Sequence, residues 1–112
     1  MREITPNESF EFYIDTLSYL DEKNLLNSDE ELQKIILEEL DSDSHTFLNH
    51  FTVNRLVEND LIPQNVAKES IELRKQIRIL IDTKFSIDEI RNNKDWIKVR
   101  EIAKNILKDI EK

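Results

Sequence analysis

The side chains of this sequence with proton or metal chemistry in reach are two histidines and twenty-four carboxylates. There is no cysteine, so thiolate nucleophiles, thiolate metal sites and disulfides are excluded. His45 and His50 are five positions apart, about 140° around a helix, whereas a chelating pair needs i, i+3 or i, i+4 spacing. The run Asp41-Ser42-Asp43-Ser44-His45 opens like a calcium loop. It then places Thr46 where the sharp turn needs glycine, and Thr52 where the ion needs a bidentate glutamate. Ser44 and His45 are neighbours in sequence, which is not the spatial pairing that activates a hydroxyl. Paired carboxylates are so numerous that no one pair stands out as an acid and base. Glycine is absent, and with it the phosphate-cradling loop, the dinucleotide fingerprint and the nucleophile elbow. The expectation is a protein that is not an enzyme and carries no cofactor and no metal.

What the carboxylates offer instead is charge. Residues 29–43, "DEELQKIILEELDSD", hold seven acids and one lysine. The formal net charge of −8 is unevenly divided. Residues 1–60 carry fifteen acids and four bases, a net of −11, and residues 61–112 carry nine acids and twelve bases, a net of +3. Such a chain is repelled by nucleic acid and by anionic membrane, and its first half suits a basic partner.

The elements that must position these acids are helices. Abundant Glu, Lys, Leu and Ile, two prolines and no glycine predict an all-α chain, one domain over residues 1–112 built as a compact bundle of five or six antiparallel helices. Thr5, Pro6 and Glu8 form a capping box with proline at the first turn, and Phe10, Tyr13, Ile14, Leu17 and Leu20 then recur at helical spacing. This predicts a first helix to about residue 22, closed by Asn24 in the left-handed conformation. Ser28 and Glu31 open a second helix whose buried stripe is Leu32, Ile35, Ile36 and Leu40, and "DSDS" at 41–44 is expected to break it. A third helix over 44–58 is expected to turn Phe47, Leu48 and Phe51 inward with Val53 or Leu56. A fourth over 63–83 shows Val66, Ser70, Leu73, Ile77, Leu80 and Ile81 on one stripe, with Ile71 and Ile79 off it, the wide apolar arc of a central helix. Ser86 and Glu89 cap a short turn. Asp95 is expected to cap the last helix, where Trp96, Val99, Ala103, Ile106, Leu107 and Ile110 form the clearest amphipathic pattern in the chain.

On the second helix, Glu30, Glu31, Glu38 and Asp41 gather opposite the apolar arc, with Glu39 at its rim. The first acids suit a helix N-terminus, but Glu38, Glu39, Asp41 and Asp43 fall at its expected C-terminal end, where the macrodipole is already negative. Their bases must lie elsewhere in the chain or on another molecule. The candidate partner-binding residues are therefore Glu30, Glu31, Glu38, Glu39, Asp41 and Asp43, with Asp15, Asp21 and Glu22 as a second ring if the first helix lies alongside.

A small acidic helical chain ending in "WIKVREIAKNIL" resembles bacterial immunity proteins, the cognate inhibitors of contact-dependent or colicin-like toxins. The resemblance covers size, acidity and the pattern Trp96-x-x-Val99-Arg100-x-x-Ala103-x-x-Ile106-Leu107. It implies a one-to-one complex with the basic C-terminal nuclease domain of a secreted toxin, the inhibitor sitting over or beside the active-site cleft. No family binding residue carries over, so the contacts proposed above rest on charge alone. The alternatives are a helical structural or adaptor subunit with an apolar interface at Leu37, Ile71, Ile79, Ile97 and Ile102, and an acidic DNA-mimic regulator. A helix-turn-helix reading of 45–63, with Thr52, Asn54 and Arg55 as base contacts, is disfavoured by its lack of positive charge. The amino terminus lacks the apolar stretch of a signal peptide, no run approaches the ~18 apolar residues of a membrane helix, and no cysteine is present, so the expected location is the cytoplasm without membrane contact.

Overall fold

Helix α1 (Pro6–Ser18) begins at the predicted box: the Thr5 hydroxyl accepts from the Glu8 N–H at 3.1 Å, and the Glu8 carboxylate accepts from the Thr5 N–H at 3.0 Å. These contacts come from a computed structural model, which describes residues 4–110. Asp21 then caps a 3₁₀ segment, Glu22–Leu26, by accepting from the Lys23 N–H at 2.8 Å. Asn24 lies inside this segment with ordinary backbone angles. Its side-chain amide, not a left-handed turn, closes α1 by donating to the carbonyls of Ser18 and Tyr19, each at 3.0 Å.

The second helix departs from expectation. Helix α2 (Asp29–Lys34) passes through a π-helical turn (Ile35–Leu40) into α3 (Asp41–Phe47), with helical backbone at both junctions. "DSDS" therefore does not break the helix. Ser44 and Thr46 bond back to the carbonyls of Asp41 and Ser42, both at 3.2 Å, so these hydroxyls are satisfied within a helix. The break comes at Leu48-Asn49. The Asn49 amide donates to the carbonyls of His45 and Thr46, and its oxygen accepts from the Thr52 N–H at 2.8 Å, closing one helix and opening the next.

The π turn explains how one line of this rod stays on the core. Leu32, Ile36, Leu40, Ser44 and Leu48 are all buried, at a constant spacing of four. Four residues overshoot one α-helical turn by about 40°, so five such positions would drift about 160° around the axis. A π turn rotates less per residue and pulls the line back. The parallel line Glu39, Asp43 and Phe47 is carried with it, half-buried throughout.

Helix α4 (His50–Glu58) buries both Val53 and Leu56, while Phe51, expected inside, is 79% exposed. The kink at Asn49 sets the new rotation. Helix α5 (Gln64–Asp82) is the predicted central helix, packed against α3, α4 and α7. Short α6 (Ile87–Asn92) starts at the Ser86–Glu89 box. For α7 (Lys94–Ile110), the capping contact is Asn93 accepting from the Asp95 N–H at 2.8 Å, two residues before the one expected to cap. With the rod counted once, these are six helices among the described residues, and residues from all of them share one apolar core. Trp96 is wholly buried in it, edge-on to Phe85 at 6.5 Å between centroids, which assigns it to packing. At the centre, Ser70 donates to the Val66 carbonyl at 2.8 Å, so its contact with the Tyr13 hydroxyl at 2.5 Å has Tyr13 as donor.

With no glycine, the left-handed positions fall to Asp60 (φ 59°) and Lys84 (φ 60°). Aspartate tolerates this conformation; lysine pays for its Cβ. Lys84 follows the α5 cap Thr83 and donates its N–H to the Ile81 carbonyl at 3.1 Å, where glycine usually sits. Lys84→Gly is expected to raise stability by about 0.5–1 kcal/mol in urea unfolding, the Cβ strain outweighing the added chain entropy.

Candidate protein-binding face

The charge division of the sequence is partly settled inside the chain, by arginines. Arg78 on α5 pairs with Asp41 at 2.7 Å and with Asp82 at 3.4 Å. Arg91 on α6 pairs with Asp29 at 2.8 Å. Arg74 approaches His45 Nδ1 at 3.1 Å. Arg55 donates to the Ile4 carbonyl at 2.7 Å, and the Thr52 hydroxyl to that of Thr46, so two of the residues with possible base-reading roles are spent on the fold. Asp41, whose base was sought, has one in its own chain.

Asp43 is different. It accepts a hydrogen bond from the Tyr19 hydroxyl at 3.0 Å, a neutral donor. Burial pushes the Tyr19 hydroxyl up to about 12; the Asp43 bond and the negative charges of Asp43, Glu39 and Asp15 push the same way. The charges felt at that oxygen thus all have one sign, and they come from two elements. α1 contributes Phe12, Asp15 and Tyr19 at helical spacing, and the rod contributes Glu39, Asp43 and Phe47. The two lines run antiparallel. At one end, Phe12 stacks on Phe47 with centroids 5.0 Å apart and planes 20° from parallel. At the other, Tyr19 meets Asp43. Phe12 remains 43% exposed. The face therefore combines an accessible aromatic pair with three acids that form no ion pair among the described residues.

The structure divides the predicted site residues into groups. Asp43 bonds Tyr19, and Asp15 and Glu39 lie near enough for their charges to act on its hydroxyl. Glu30, Glu31 and Glu38 are exposed along the same rod. Asp41 faces α5. Asp21 and Glu22 do not join the acidic face: they line a groove against α7, where Glu22 acts on Arg100. Sequence reasoning missed Phe12, Tyr19 and Phe47 as members of the face. The available signal was that Phe12 falls off the buried stripe of α1, in line with Asp15 and Tyr19. Of the five off-stripe residues of the apolar alternative, Leu37, Ile71 and Ile102 are half-buried on the core, leaving Ile79 and Ile97 exposed.

Both tyrosines of the chain are held protonated. Burial pushes Tyr13 up to about 12, and the charge of Glu69 pushes the same way. A raised folded-state value means that the stability contribution is whole below the ordinary value of 10 and is lost as pH rises from 10 through about 12. Absorbance at the tyrosinate band is expected to stay flat to well above pH 10, then rise for both residues together with loss of helical circular dichroism. An independent early titration of one tyrosine would contradict the geometry at Tyr19.

The fold and face define an all-α bundle presenting an acidic, aromatic surface. No family model, curated protein or solved structure matches the chain. No helix among the described residues is long and apolar enough to cross a membrane.

Proposed function

We propose that this protein binds a basic protein partner through the face formed by α1 and the α2–α3 rod, and that the partner is the nuclease domain of a toxin that the complex neutralises. The observation that carries the binding step is the convergence of Asp15, Glu39 and Asp43 on Tyr19 beside the Phe12–Phe47 stack. One-signed charge raises encounter rates with an oppositely charged surface, and partly exposed aromatic side chains supply the desolvated anchor that charge alone does not. The acids Glu30, Glu31 and Glu38 extend the field along the rod. The acidity and the form of the last helix, with the resemblance noted above, support immunity as the purpose of the binding.

The test is co-expression with the C-terminal domain encoded by the gene immediately upstream, cloned as the candidate toxin. Growth protection and a one-to-one complex whose affinity falls steeply between low and physiological salt are expected. A complex that ignores salt would favour the adaptor alternative, docking through apolar residues such as Ile79 and Ile97. No protection and no complex would remove the immunity reading.

A further inference from the structure

A concavity lies between the end of α1 with the 3₁₀ segment and the middle of α7. Its volume is about 530 Å³, within the range of pockets that hold small organic ligands. Leu17, Leu20, Ala103 and Leu107 supply its apolar lining. Its rim is cationic. Lys104 and Lys108 stand one turn apart on α7, and Lys23 comes from the 3₁₀ segment. Two acids share the rim, Asp21, which accepts from the Lys23 N–H, and Glu22. In a chain of net charge −8, a concavity with four bases and two acids is a local reversal of sign.

The fourth base is Arg100, which is only 7% exposed. Its guanidinium donates to the carbonyls of Ile90 and Arg91 at the end of α6. Two of five N–H donors are thereby used. Burial disfavours this cation, Glu22 attracts it and Arg91 repels it less strongly. A desolvated guanidinium with unused donors is favourably completed by a further anion.

From this lining and rim, we propose that the groove binds an amphipathic carboxylate: an aliphatic chain over Leu17, Leu20 and Leu107 whose anionic end meets Arg100 and Lys104. This ligand has the opposite charge to the partner of the acidic face, so the two sites do not compete. It stands independently of the proposed function.

The probe is sodium decanoate, titrated below its micelle concentration into the full chain and followed by amide chemical shifts. Saturable one-to-one binding is expected, with shifts centred on residues 17–23 and 100–108. Lys104→Glu, an exposed change that spares the Arg100 cap, is expected to weaken binding by about tenfold or more. Lys98→Glu, on the same helix outside the groove, should leave it unchanged. Decanol, lacking the charge, and acetate, lacking the chain, should each bind about tenfold more weakly or worse. The proposal is overturned by shifts centred elsewhere, by decanol matching decanoate, or by Lys98→Glu weakening binding as much as Lys104→Glu.

Discussion

Reversing Asp15 and Glu39 together to lysine is expected to slow association with the proposed basic partner by roughly 10–100-fold at low salt, and most of that loss should disappear at high salt. Both residues act on the same oxygen, that of Tyr19, from opposite sides of the α1–rod seam. Neither takes part in an ion pair between described residues, so the change removes field without removing an internal bond. Asp41 is the wrong residue for this experiment, because a lysine there would face Arg78 and leave it only the longer contact with Asp82, so stability would fall with binding. The charge-matched control is Asp88→Lys with Glu101→Lys, two exposed acids on α6 and α7. Equal slowing by the control would mean that net charge matters and the face does not. An unchanged on-rate in a folded Asp15/Glu39 variant would move the interface elsewhere. Phe12→Ala belongs to the same series, and its effect should fall on the off-rate, since an anchor acts after encounter.

Arg91→Ala is expected to have the largest effect on stability outside the apolar core, about 3 kcal/mol. The Arg91 side chain reaches from α6 across to the start of the rod. It donates to the Leu25 carbonyl, to the Asn27 carbonyl at 3.0 Å and to Asp29 at 2.8 Å. The two carbonyls end the 3₁₀ segment and precede the Ser28 cap, where no helix supplies donors. Asp29 is largely exposed, so its share is small; the carbonyls carry the loss. A melting temperature about 10–15 °C lower would follow for a domain of this size. Arg91→Lys should recover less than half, because one ammonium cannot span three acceptors set for a planar fork. Urea unfolding measures both variants, and a loss below about 1 kcal/mol would mean that water replaces the arginine without cost.

The helix starts were legible because capping is local. Thr5, Ser28 and Ser86 each accept from the N–H three residues on, a contact fixed within one turn of sequence. The stripes of α5 and α7 were legible because each faces the core along its whole length. Residues 41–51 were not. Ser and Asp read as helix breakers when their side chains are free to bond the backbone. Here Asp41 is held by Arg78 and Asp43 by Tyr19, 37 and 24 positions away, and no local pattern reports a tertiary partner at that distance. Phe51 was misplaced by the same error, since carrying one helix through Asn49 gives the wrong rotation for everything after it. The acids of the candidate face were visible as composition, but their gathering was not. It depends on α1 and the rod lying antiparallel with Phe12 beside Phe47, a register that side-chain packing selects.

The π turn has a consequence for how this protein tolerates changes in length. It holds about one residue more than ordinary α-helix needs to turn through the same angle. Loss of a single residue between 35 and 40 would let the rod relax to ordinary pitch and leave everything after it close to its present rotation, with Asp43 still at Tyr19 and Phe47 still at Phe12. The same deletion within α5 would swing all that follows it about 100° around the axis. The stretch that looks most irregular is thus the place in the rod where a change of length is absorbed.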